Sequence, residues 1–135
     1  MSVRLRFKLY AAVSSTSAEE NDLGKVLGEV CDDSQSEGGA WKTTVAAAAV
    51  NVALPLDSIA SAKFLAVKAT PKDPTQTMTQ VDIILNGTIT IPLFPIGTSK
   101  EALFMVSSAG ITSLAVTNNQ PSAVPVDLVI VVGGD

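Results

Sequence analysis

Residues 80–91 read Gln80-Val81-Asp82-Ile83-Ile84-Leu85-Asn86-Gly87-Thr88-Ile89-Thr90-Ile91. Two β-forming runs flank an Asn-Gly pair, the strongest short-range signature of a β-hairpin, because both central residues of a type I′ turn need positive φ. Pro92 and Pro95 bend or end the second strand. Working outward, Phe64 to Thr70 predicts a preceding strand, closed by the loop Pro71-Lys72-Asp73-Pro74. Upstream of it, Trp41 to Leu56 reads as one extended run. Ala46 to Ala49 favour helix by propensity, but Thr43, Thr44, Val45, Val50 and Val52 are β-formers and Pro55 ends the segment. Its alanines would leave a flat sheet face suited to close approach by a second sheet or subunit. Downstream, Leu103–Ser107, Ile111–Thr117 and Val126–Val132 follow, separated by Gly110 and by Asn118-Asn119-Gln120-Pro121, with Gly133-Gly134 read as a turn or frayed end. Short strands at this spacing, roughly eight of them, predict an all-β antiparallel sandwich or barrel.

The amino-terminal segment alternates strictly. Val3, Leu5, Phe7 and Leu9 are expected on one face, and Arg4, Arg6 and Lys8 on the other, about 6.6 Å apart. That basic face meets water or an acidic partner. From Ser14 to Gly39 the character changes to Glu19, Glu20, Asp22, Glu29, Asp32, Asp33 and Glu37 among Ser and Gly, anchored by Leu23, Val26, Leu27 and Val30. The stretch predicts a long acidic excursion near residues 14–39 with a short strand or helical turn around Leu23 to Val30. Such loops tend to be functional or mobile. Contact with a neighbouring subunit is the favoured explanation, with Arg4, Arg6 and Lys8 as acceptors for its carboxylates.

A chain of 135 residues makes one domain, taken as 1–135, and buries roughly 70% of its unfolded surface. Charged residues are 16% of the chain, well under the usual quarter or so, hydrophobic residues reach 47%, and mean hydropathy is +0.37. So few charges predict that copies of the chain or another protein cover part of its apolar surface. The net charge of −4 works against binding nucleic acid or an acidic membrane surface. No stretch gives the run of apolar residues a transmembrane helix needs, and Met1 to Arg6 lack the apolar core of a signal peptide; with the lone cysteine this suits synthesis in a reducing compartment. Cys31 is the single cysteine, so no internal disulfide forms.

The chain contains no histidine, which removes a histidine general base, Ser-His-Asp and Cys-His arrangements and histidine metal sites. Carboxylate pairs remain, Asp32-Asp33 or Asp57 with Asp82, but adjacent residues on extended chain point to opposite sides. The loop-type calcium pattern is missing although Glu29, Asp32, Asp33 and Glu37 crowd one segment. No enzyme activity, cofactor or metal is expected. Aromatics are 4% of the chain, too few for a stacking platform, and barely enough to seed a core. Trp41, after Gly38-Gly39-Ala40, is expected in the core or at a subunit interface.

Leu54-Pro55-Leu56 with Ile59, Ala62-Lys63-Phe64-Leu65-Ala66-Val67, Val81 to Gly87, and Gly110-Ile111-Thr112-Ser113-Leu114-Ala115-Val116-Thr117-Asn118 together resemble the small β-sandwich structural proteins of tailed-phage virions. The resemblance runs from about residue 41 onward. It implies a jelly-roll-like decoration or cement protein on the outer surface of an icosahedral head. There it would clamp adjacent major-capsid subunits, with the major capsid protein as partner and a homo-oligomer, a trimer, as the expected form. Many weak copies on a lattice gain strength by multivalency. Under this reading Arg4, Arg6, Lys8, Glu19, Glu20, Asp22 and Trp41 are the candidate interface residues. The alternative is a tail or fibre-associated binding module, ahead of a carbohydrate-binding module and an enzyme.

Overall fold

The computed structural model describes residues 3–8, 29–35, 37–56, 59–95, 100–121 and 124–134. Among them are ten strands and no helix: β1 (Val3–Lys8), β2 (Glu29–Gln35), β3 (Glu37–Val45), β4 (Val52–Leu54), β5 (Ala62–Pro71), β6 (Val81–Leu85), β7 (Ile89–Leu93), β8 (Ala102–Ile111), β9 (Leu114–Asn118) and β10 (Val126–Gly134). The first two form a separate antiparallel pair, and the other eight form two four-stranded sheets, ordered β3-β10-β5-β8 and β4-β9-β6-β7.

The Asn-Gly turn is the pivot of this topology. Asn86 and Gly87 adopt φ of 53° and 69°, as the turn chemistry demands. Around them Ile84 faces Thr90, Leu54 faces Leu114, Val67 faces Phe104 and Val45 faces Val126, each pair centred close to Asn86. The chain is thus one long antiparallel ribbon folded back at residues 86–87. Pairing of β10 with β5 and of β6 with β9 rolls that ribbon into two facing sheets. This is the wrapping of a jelly roll.

Alternation builds the core. Leu65, Val67 and Ala69 of β5, Leu128, Ile130 and Val132 of β10, Val81 and Ile83 of β6, and Leu114 and Val116 of β9 are all buried. Each large aliphatic side chain contributes roughly 1.5–3 kcal/mol on burial. Among the described residues every fully buried large side chain is Val, Leu or Ile, while Trp41 and Phe104 pack at the margin of the core, as the scarcity of aromatics leads one to expect. Branched aliphatic residues on the four central strands β5, β10, β6 and β9 fill the roughly 10 Å between sheets without rings.

Three further expectations need correction. The run from Trp41 to Leu56 is not one strand. β3 ends at Val45, and a turn bonded from the Ala49 N–H to the Ala46 carbonyl, with Ala48 and Asn51 at φ of 57° and 53°, carries the chain from one sheet to the other. Ala46 to Ala49 therefore form a corner and not a flat sheet face. Gly133 and Gly134 are not a frayed end. They are buried in β10, where a Cβ on Gly134 would stand 2.5 Å from the Ser61 carbonyl oxygen and 2.9 Å from Ala62 Cα. The acidic excursion does not run unbroken to Gly39, because Glu29–Gln35 is strand β2 and β3 begins at Glu37.

Candidate interaction surface

Rolling leaves four edge strands, and they differ in how they meet solvent. β4 is three residues long. β7 carries Pro92, which has no N–H to offer a further strand. β3 presents the exposed Lys42 and is approached by β1. β8 spans Ala102–Ile111 with a register irregularity near Gly110, and its regular stretch Ala102-Leu103-Phe104-Met105-Val106-Ser107 has neither charge nor proline; β5 is its one strand neighbour among the described residues. Long, flat, apolar edges are templates for pairing, and proteins that leave them bare usually have a use for them.

The same margin is where the sandwich stays open. Phe104 and Val106 reach the core from β8 but remain half-buried, as does Ile91 of β7. Ile89, Phe94 and Leu103 are exposed by 52%, 58% and 56%. Only one other large apolar side chain among the described residues is as bare, Val50 in the β3–β4 corner. The sequence signalled that apolar surface needs covering but not where. Leu103 is out of phase with the buried Ala102, and that offset was the available clue.

On the outer face of the β3-β10-β5-β8 sheet lies an open groove of about 350 Å³. Lys42 and Lys68 flank it, both in register with Val129. Thr44 donates its hydroxyl to Asp127 at 2.7 Å, and Lys68 pairs with Glu101 at 3.4 Å. Its charges are largely matched, so the groove has little field to select an ion. No group of three or more metal-ligating side chains occurs among the described residues.

Trp41 lies on β3 beside a 270 Å³ hollow lined by Gly39, Ala40 and Pro55. It packs against the core, and its indole N–H is buried without an acceptor among the described residues. Arg4, Arg6 and Lys8 sit on β1, where the backbone register places Arg6 opposite Asp32, Lys8 opposite Glu29 and Arg4 opposite Ser34. The juxtaposition of basic strand and acidic stretch is thus made within one chain. Glu19, Glu20 and Asp22 lie outside the described residues.

The polar groups that sequence reasoning missed hold the corners. Asn118 is 3% exposed; its Nδ2 donates to the Ala46 and Val124 carbonyls at 3.1 and 2.9 Å, and its Oδ1 accepts from the Gln120 N–H at 3.0 Å. Gln120 Oε1 accepts from the N–H groups of Thr79 and Gln80, and its Nε2 donates to the Thr77 carbonyl. Asn86 Oδ1 accepts from the Thr112 N–H at 2.8 Å, and its Nδ2 donates to the Gly110 carbonyl at 2.9 Å.

No protein-family model matches the chain, and no curated protein sequence does. Among solved structures, a chain from Bacillus endospore appendages, a family of disulfide-linked pili, is similar over 73% of this chain and 88% of its own, at 17% identity and a TM-score of 0.39. Two chains at that level of similarity need share neither strand arrangement nor role.

Proposed function

We infer that this chain is a non-enzymatic structural module that binds the outside of an icosahedral phage head and clamps adjacent major-capsid subunits. The observation that carries the reading is the bare apolar margin of the sandwich, Ile89, Phe94 and Leu103 beside the uncharged edge of β8, which is chemistry suited to another protein surface. The rolled-ribbon topology adds support by analogy of fold, since jelly rolls serve repeatedly as capsid domains. Rim charges contribute about 0.2–1 kcal/mol each, so apolar contact supplies most of the binding in this reading.

The test mixes the purified chain with undecorated capsids of its parent virus and images the particles by electron microscopy. Ordered density on the shell, repeating with its symmetry, is expected. Bare shells at saturating protein would transfer the reading to a tail or fibre-associated module.

A further inference from the structure

We propose that β8 pairs antiparallel with β8 of a second copy across a twofold axis perpendicular to the sheet, joining two β3-β10-β5-β8 sheets into one of eight strands. The inference concerns contact between copies and stands without the capsid reading. An unpaired strand edge presents alternating N–H and C=O groups, which only another extended backbone satisfies along its length. Of the four edges, length closes β4, Pro92 closes β7, and Lys42 with the nearby β1 guards β3. What remains complementary to β8 is β8 itself, and an isologous contact closes on itself and leaves no further copy to add at that edge.

Side chains select the register. A twofold axis perpendicular to the sheet keeps core-facing residues together only when the axis passes beside a residue. Centring it on Met105 opposes Leu103 to Ser107, and centring it on Leu103 opposes Met105 to Glu101. Centring it on Phe104 sets Phe104 against its own copy, Leu103 against Met105 and Ala102 against Val106, so that every pair within Ala102–Val106 is apolar and the polar Glu101 and Ser107 fall opposite each other at the ends. The half-buried Phe104 and Val106 then gain the cover that the monomer lacks. At about 200 Å² for a large side chain, Ile89, Phe94 and Leu103 alone uncover roughly 330 Å², some 40% of the ~800 Å² per partner of a standard interface. The edge backbone and the half-covered Phe104, Met105 and Val106 lie alongside to supply the remainder.

Sedimentation velocity on the full chain over a hundredfold dilution series tests this. A dimer is expected for the wild type, and Leu103→Lys or Met105→Lys, each placing two ammonium groups at the seam, should weaken association by roughly 100-fold. Val50→Lys, at a corner residue already 74% exposed, should leave the dimer intact. Far-UV circular dichroism confirms that each variant folds. In a Cys31→Ser background, Phe104→Cys should form an interchain disulfide on mild oxidation, since opposed Cβ atoms in such a pair lie within about 5.5 Å, whereas Val50→Cys should not. A monomeric wild type, a trimer or open series signalling head-to-tail edges, lysine variants that dimerise as the wild type does, or a dimer that Phe104→Cys fails to lock would each overturn the proposal. If Leu103→Lys is monomeric yet still decorates capsids, the pairing stands and the capsid reading stands separately from it.

Discussion

Replacing Asn118 by Ala tests how the rolled ribbon is pinned. The side chain joins three backbone groups from three segments: the Ala46 carbonyl in the β3–β4 corner, the Val124 carbonyl ahead of β10, and the Gln120 N–H. Ala46 is exposed and its carbonyl regains water on truncation, but Val124 and Gln120 are only 9% and 8% exposed. Two buried groups left without partners cost about 1–3 kcal/mol each, so with the third bond the loss comes to about 4 kcal/mol. For a chain of this length, an unfolding entropy near 2.1 cal/mol/K per residue converts that to a fall in Tm of about 14 °C. Equilibrium urea unfolding followed by the fluorescence of Trp41, the single tryptophan, reads the change directly. Asn118→Asp should cost more at neutral pH, because it keeps the acceptor but turns a carboxylate toward two carbonyl oxygens. Asn119→Ala, which loses one exposed bond to Asp82, should cost about 0.5 kcal/mol or less. A loss under about 1 kcal/mol for Asn118→Ala would refute the view that this amide holds the corners.

Trp41→Phe removes an indole N–H that is buried without an acceptor among the described residues, so the usual cost of trimming a packed ring is offset by about 1–3 kcal/mol; urea unfolding should show a neutral or slightly stabilised protein, and a loss above about 2 kcal/mol would contradict the assignment. Gly134→Ala drives a Cβ into the Ser61 and Ala62 backbone and should cost about 1–3 kcal/mol, whereas Gly87→Ala meets open space and should cost about 1 kcal/mol through its φ of 69° alone; thermal melts of the two variants should rank them in that order. Asp73 accepts hydrogen bonds from the Thr75 N–H and hydroxyl, which hold its pKa below the usual 3.8. Its stabilising contribution is therefore complete above pH 3.8 and fades as pH falls through the lowered folded value, so the gap in Tm between wild type and Asp73→Asn should be flat from pH 7 to pH 5 and close under strong acid.

The parts of this fold that were legible in the sequence are those decided by neighbours in the chain. Asn86-Gly87 announces its hairpin because positive φ at both positions is a local demand, and the alternation of Val81, Ile83 and Leu85 survives unchanged in their burial. The corners were illegible because their partners are distant. Nothing near Ala46 says that the strand must stop there, since the carbonyl that ends it is held by a side chain 72 positions away. Likewise Ile111 to Thr117 reads as one strand, yet Asn86 takes the Thr112 N–H and splits it into the end of β8 and the start of β9. Gly133-Gly134 misleads for a related reason. Glycine pairs mark chain ends when seen alone, but here the missing side chains let the end of β10 lie against the Ser61 and Ala62 backbone. Of the candidate interface, the shortage of charge pointed to exposed apolar surface without placing it, and the fold puts the barest apolar side chains among the described residues on or beside β7 and β8 and in the β3–β4 corner.

That division has a physical origin in the ribbon itself. Folding a chain back at residues 86–87 and rolling it places its polar liabilities in two kinds of position, the corners where strands change sheet and the edges where pairing stops. At the corners the groups are few and fixed, so single amides suffice, and Asn86, Asn118 and Gln120 each satisfy several backbone groups at once. An edge is different, because its unpaired groups repeat along the strand and no one side chain can reach them all. It is shortened, as in β4, interrupted by proline, as in β7, or completed by another strand. The regular stretch Ala102–Ser107 of β8 carries no proline, and its outward residues Leu103 and Met105 offer water no charge. An edge of that composition gains by being buried, whereas a lysine at position 103 or 105 would have kept it soluble and alone. The side chains that satisfy the corners are internal, whereas among the described residues β8 has only β5 to pair with, which leaves its other edge to the second copy proposed above.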